Sequence, residues 1–120
     1  MQRNMDLIRE ILLQMADHEH GFAPTIKVDG HTQEEVGFHV WLLSDANLIV
    51  AEDATNLGSV GPEAIPIHLT WQGYEFLEAA RNQTNWENSK KVVLSKMGGL
   101  SFELIKAYLI YEAKHHLGIQ

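Results

Sequence analysis

Thr32-Gln33-Glu34-Glu35-Val36-Gly37-Phe38-His39-Val40-Trp41-Leu42-Leu43-Ser44-Asp45-Ala46-Asn47-Leu48-Ile49-Val50 is the stretch on which the fold turns. Its first four residues form a capping box. The Thr32 hydroxyl is placed to accept the Glu35 backbone N–H, and the Glu35 carboxylate can reach back to the N–H of the cap. A helix to about Ala46 follows, with Val36, Val40 and Leu43 recurring on one stripe. Asn47 tolerates the left-handed conformation that ends a helix, and the apolar run from Leu48 to Glu52 reads as a strand.

Upstream, Ala23 to Val28 carries β-branched Thr25, Ile26 and Val28 before an Asp29-Gly30 turn, which predicts a short strand. That strand is expected to pair beside the later ones. Further upstream, Asn4 caps a helix from Met5 to about His18, with Ile8, Ile11, Leu12 and Met15 on its buried stripe and Gly21 after its end. Downstream, the loop Asp53 to Ala64 holds Asn56, Gly58, Gly61 and Pro62 and therefore turns. A second strand, Ile65 to Leu69, contains Pro66, which confines it to a sheet edge or a strand start. Thr70 caps a helix to about Arg81 that buries Tyr74, Phe76 and Leu77 in part. Two more helices, Asn85 to Met97 and Ser101 to Leu117, are separated by Gly98-Gly99. The pattern predicts an α+β fold of the winged-helix type: helix, strand, helix and wing hairpin over residues 1–82, with residues 83–120 a C-terminal helical extension of the same domain.

From Thr32 to Val50 the chain resembles the third helix and following strand of MarR- and ArsR-type regulators. Leu69-Thr70-Trp71-Gln72-Gly73-Tyr74-Glu75-Phe76-Leu77 is similar to the segment in which their second wing strand enters the next helix. The opening M-Q-R-N-M-D-L-I-R-E-I-L-L and the later G-G-L-S-F-E-L-I-K resemble the YjcQ-like and related prophage-associated families, which have no assigned function. The first resemblance implies a DNA-associated regulator. Three features depart from it. A strand stands where a helix-turn-helix has its positioning helix. The would-be reading helix has Glu34, Glu35 and Asp45 with no Lys or Arg, and the wing has Asp53 and Glu63 with no base. Of the residue types that read base edges, this helix offers Gln33.

Charge is segregated along the chain. Residues 10–80 hold twelve acidic side chains and one basic, Lys27; residues 81–120 hold six basic and three acidic, a net of +3 within a total of −7. Affinity for nucleic acid comes largely from Lys and Arg on phosphates. Any DNA binding is thus expected to be weak, salt-sensitive and carried by Arg81, Lys90, Lys91 and Lys96. The 120 residues are enough for one domain with its own core, and the absence of cysteine excludes disulfides and thiolate metal sites. No run reaches the roughly 18 apolar residues of a membrane span, and the start is not a signal peptide. A cytoplasmic protein without a membrane partner is expected.

The seven histidines do not make a metal site. His18-x-His20 and His115-His116 lack the i, i+4 spacing that puts two imidazoles on one helical face. His115 and His116 suit the negative end of the last helix, and His39 falls in the buried half of its own, a satisfied core histidine. Gly58-Ser59-Val60-Gly61 lacks the lysine and the strand–loop–helix setting of a phosphate loop. No nucleophile elbow or carboxylate pair is present either, so no enzyme activity and no cofactor are expected. Phe38 and Trp41 lie about 140–160° around the helix from the Val36 stripe. Two readings are open: the C-terminal helices cover them, or they form the surface for a protein partner or a homodimer. Two functions follow, a DNA-associated regulator of phage or prophage type and a protein-interaction module using the Phe38–Trp41 face.

Overall fold

Residues 1–18, 21–23, 25–97 and 101–118 are described in a computed structural model. The elements run α1 (Met5–Ala16), α2 (Gln33–Asp45), β1 (Ile49–Asp53), β2 (Ala64–Leu69), α3 (Trp71–Ala80), α4 (Gln83–Met97) and α5 (Phe102–His116). The expected break at Gly98-Gly99 lies outside the described residues. The chain gathers into two compact units, Met1–Glu75 and Phe76–Gln120, whose boundary falls inside α3.

In the first unit the helix ends follow from local chemistry. Asn4 Oδ1 accepts the N–H groups of Asp6 and Leu7 at 3.0 and 3.1 Å, and α1 buries Met5, Leu7, Ile8, Ile11, Leu12 and Met15. It ends at Ala16, two residues before the expected His18. The capping box at Thr32 is complete, with the hydroxyl accepting the Glu35 N–H at 3.1 Å and the Glu35 carboxylate accepting the Thr32 N–H at 3.3 Å. At the far end of α2, Asn47 takes φ 62°. The Asn47 N–H bonds the Ser44 carbonyl and the Leu48 N–H bonds the Leu43 carbonyl, both at 3.0 Å, a Schellman closure with Asn in the left-handed position.

β1 and β2 form a two-stranded antiparallel sheet with a bulge between Val50 and Ala51. Ile67 is the extra residue: Val50 pairs with His68 and Ala51 with Pro66. The strand expected from Ala23 to Val28 is not formed. Thr25 to Val28 join no ladder, and among the described residues the Ala23 N–H bonds the Ile67 carbonyl of β2 at 2.8 Å. The reason is a shortage of donors and a rival partner. Neither Pro24 nor Pro66 has an N–H, and the Lys27 carbonyl accepts the Gln14 side chain of α1 at 2.8 Å. Ile26 is buried nonetheless, so its apolar side chain is used without a strand. Among the described residues no helix forms between α1 and α2, so no helix-turn-helix pair is seen there.

α3 begins against the turn that ends α2. Thr70 N–H bonds the Leu48 carbonyl at 3.0 Å, and its hydroxyl donates to the Asn47 carbonyl at 2.7 Å and accepts the Gly73 N–H at 3.1 Å. A Cβ on Gly73 would run into the Leu48 carbonyl oxygen, so the close approach requires glycine. Tyr74 stands at the surface, whereas Phe76 and Leu77 are fully buried.

In the second unit Phe76 meets Trp86 edge-on at 6.2 Å between ring centroids and Phe102 at 4.7 Å. Asn82 caps α4 and Ser101 caps α5. Trp86, Ser89, Val93, Ile105 and Leu109 are buried, and the Ser89 hydroxyl is satisfied by the Trp86 carbonyl at 2.7 Å. α5 leaves Ile110 and Tyr111 exposed, so its apolar residues are not all in one packed surface.

Two substitutions distinguish a local cap from a tertiary constraint. Thr32→Ala is expected to cost about 1 kcal/mol, as lost N-caps do. Gly73→Ala is expected to cost about 3 kcal/mol or more, because a backbone oxygen cannot move aside as a side chain can. Urea midpoints of the two variants, measured beside the wild type, check the order.

Candidate functional site

The surfaces with chemistry lie on α2, the β1–β2 hairpin and α4. On α2, Val36, His39, Val40 and Leu43 face inward and Gln33 and Glu34 are exposed at its N-terminal end. His39 is buried and fully bonded. Its Nε2 accepts the Asn4 backbone N–H at 2.8 Å, which leaves Nδ1 carrying the proton and donating to the Glu35 carbonyl at 2.7 Å. The imidazole thus links the cap of α1 to the first turn of α2. Burial pushes its pKa below 6.5, with nearby His31 adding to the effect; the Glu35 carbonyl and carboxylate oppose it. This is a structural histidine, as the sequence implies.

Phe38 and Trp41 stack, with ring centroids 6.3 Å apart and planes 10° from parallel, and the Phe38 ring meets His39 edge-on at 5.5 Å. Both rings are half-buried, so neither is a bare anchor. His31 bonds the Glu35 carboxylate at 3.0 Å, and this bond, with that from the Thr32 N–H, holds the Glu35 pKa below 4.5.

The hairpin loop is ordered by its own side chains. Asp53 accepts the Thr55 N–H at 2.8 Å, which lowers its pKa. Ser59 donates to Glu63 at 2.9 Å, and the Glu63 N–H bonds the Thr55 hydroxyl at 3.0 Å. Leu57 and Val60 project from the tip into solvent. From Thr32 to Leu69 the chain carries six carboxylates (Glu34, Glu35, Asp45, Glu52, Asp53 and Glu63) and no Lys or Arg.

A cleft of about 400 Å³ opens in this unit, a volume in the range of ligand pockets. Ala23, Thr25 and Ile26 line one side, Val36, Gly37 and Val40 of α2 another, and the start of β2 a third, with Thr25, Gln33 and Glu63 as its polar side chains. α2 comes close to the hairpin here: a Cβ on Gly37 would sit 3.1 Å from the Glu63 Cβ. The structure thus places Gln33, which is exposed, at the border of this cleft. Sequence reasoning does not find this cleft, because it exists where an expected strand fails to pair. The two prolines and the glycine at 37 are its traces in the sequence.

The four basic residues expected to meet DNA, Arg81, Lys90, Lys91 and Lys96, lie in the second unit. Arg81 pairs with Glu78 at 3.9 Å, and Lys90 pairs with Glu87 at 3.3 Å while its ammonium lies 5.8 Å from the Trp86 ring centroid. Lys91 and Lys96 are exposed. At about 100° per residue, Lys90, Lys91 and Lys96 are 100–140° apart around α4, so they do not share one face. His115 stacks on Tyr111 in the last turns of α5, and His20 of the His18-x-His20 pair lies outside the described residues. Among the described residues no three His, Asp or Glu side chains converge as metal ligands, and no helix is long and apolar enough to cross a membrane.

Comparison with known proteins gives a family. The model of a family described as hypothetical protein, DUF2513, matches residues 2–100, from α1 through α4. The chain is also 39% identical over 109 residues to an uncharacterized protein of Haemophilus influenzae (strain ATCC 51907 / DSM 11121 / KW20 / Rd), covering 88% of this chain and 90% of that one. No solved structure matches.

The buried imidazole makes stability depend on pH in a definite direction. His39 is neutral in the fold and its pKa is below 6.5, whereas the unfolded chain takes up a proton near 6.5. Its contribution is therefore complete above pH 6.5 and is lost as pH falls from there through the lower folded value. Glu35 and Asp53, whose pKa values are lowered, withdraw theirs only at lower pH, in the carboxylate range. In urea titrations from pH 7.5 to 5, His39→Gln is expected to flatten the part of the loss that precedes the carboxylates.

Proposed function

We propose that this chain, which belongs to the DUF2513 family of hypothetical proteins, is a non-enzymatic protein-binding module of winged-helix type, with the acidic surface of α2 and the hairpin as its working face. The observation that carries this is the run of six carboxylates without a Lys or Arg across the two elements with which a winged helix grips DNA. Facing phosphates, that surface is repelled; facing a basic protein, it is complementary and speeds encounter. The apolar tip residues Leu57 and Val60 add contact area that suits a protein surface better than a groove of duplex DNA. The stacked Phe38–Trp41 pair is the aromatic element of the same helix, and its half-exposed edges add to that surface. The resemblance to prophage-associated families favours a phage-derived protein that occupies a host factor in the cytoplasm, as a monomer or a homodimer.

DNA association falls to Lys91 and Lys96 in this reading, because Arg81 and Lys90 have carboxylate partners. Two dispersed cations release few counterions, so affinity is low and falls steeply with salt. The test measures binding to a random-sequence duplex and to a cross-linked partner purified from the source cell. Glu34→Lys with Glu52→Lys is expected to weaken the partner complex and to leave duplex binding no weaker. Lys91→Glu with Lys96→Glu is expected to do the reverse. Nanomolar, sequence-specific duplex binding in 0.2 M salt would overturn the reading.

A further inference from the structure

We infer that the outer edge of β2, together with the cleft beside it, takes an extended segment of a basic partner protein as an added third strand, with a Lys or Arg side chain of that segment on Glu63. The inference rests on the protein-binding reading above and gives it a mode and a place.

The backbone carries the first part. The Ala54 N–H bonds the Glu63 carbonyl at 2.9 Å. By the alternation of an antiparallel ladder, Asp53–Ala64 and Ala51–Pro66 are then the pairs without mutual bonds. The N–H and C=O of Ala64 and the C=O of Pro66 therefore point away from β1. Among the described residues none bonds them, and both residues line the cleft. One step further along, the Ile67 carbonyl already accepts the Ala23 N–H at 2.8 Å, so this edge does bond an extended chain where one reaches it. Thr25 and Ile26 then leave the edge, and the cleft is the space between. Sheet edges with unpaired main-chain groups facing a cleft are where peptides add as strands, with main-chain bonds for affinity and side-chain pockets for choice.

Charge supplies the second part. Glu63 lines the cleft, Gln33 faces it from the start of α2, and no Lys or Arg lies between Lys27 and Arg81. Glu63 Oε1 accepts the Ser59 hydroxyl at 2.9 Å, which holds the carboxylate in place at the cleft. An acidic or purely apolar strand finds no such partner there.

The full chain is panned against displayed random heptapeptides, and the recovered peptides are titrated against wild type, Glu63→Lys and Thr25→Arg. The expected peptides place Lys or Arg among β-branched residues. Both variants are expected to weaken them about tenfold or more, as loss of a close interfacial charge pair does. Thr25 is exposed, so its variant tests the site even if Glu63→Lys disturbs the loop. The Ala64 amide is expected to shift and to exchange more slowly with solvent on binding, and N-methylation of alternate peptide nitrogens is expected to abolish the effect. No enrichment, an unmoved Ala64 amide, or binding indifferent to both variants overturns the inference. Peptides that map instead to Phe38 and Trp41 also overturn it, while leaving protein binding by α2 standing.

Discussion

Where α2 ends, the Leu48 peptide is used on every side, and the first unit is assembled around it. Its N–H closes the helix on the Leu43 carbonyl, its carbonyl takes the Thr70 N–H, and α3 passes so near that oxygen that Gly73 can carry no side chain. One turn thus fixes where α2 stops, where β1 starts and where β2 hands over to α3. The left-handed Asn47 makes this possible, because it reverses the chain while keeping Leu48 within reach of Leu43. The hairpin projects from that junction, and its pairing begins one residue beyond it at Ile49 and Leu69.

A second constraint holds the start of α2 to α1. His39 gives up the freedom to ionise in order to accept the Asn4 N–H, a donor that otherwise lacks a helical partner. The same Asn4 caps α1 with its side chain, so two helices share one residue for their orientation. An apolar residue at 39 keeps the packing and leaves that N–H without its acceptor. A charged imidazole there has no acceptor to offer either. The cost of ionisation is therefore a matter of bonding as well as of burial.

Between these two fixed ends, the hairpin and the segment before α2 are matched loosely. β2 has one full partner in β1 and one bond to Ala23, and the bulge at Ile67 turns its edge at the point where that bond is made. The cleft is the consequence. Along the chain from Thr32 to Leu69 this unit carries six carboxylates and no Lys or Arg. The cations of α4 are dispersed around their own helix, and Lys90 is paired with Glu87.

Much of this was legible in the sequence. Asn4, Thr32 and Thr70 mark helix starts and Asn47 a helix end, because each acts on backbone groups within a few residues of itself. The same holds for the charge pattern and for a histidine placed on the inward side of α2. Of the three residues of α3 expected to be partly buried, Phe76 and Leu77 are buried in full and Tyr74 is exposed. What tertiary structure decided is what depends on distant partners. A strand needs an edge to pair with, and Thr25 to Val28, with three β-branched residues in four, had the Lys27 carbonyl taken by Gln14 of α1 and met Pro66, which has no N–H, on the edge of β2. The burial of Trp86 among Phe76 and its neighbours, the bulge, and the cleft with Glu63 on its wall belong to the same class. Local hydrogen bonds are written in adjacent residues; pairing and packing are settled by which distant groups meet in the right geometry.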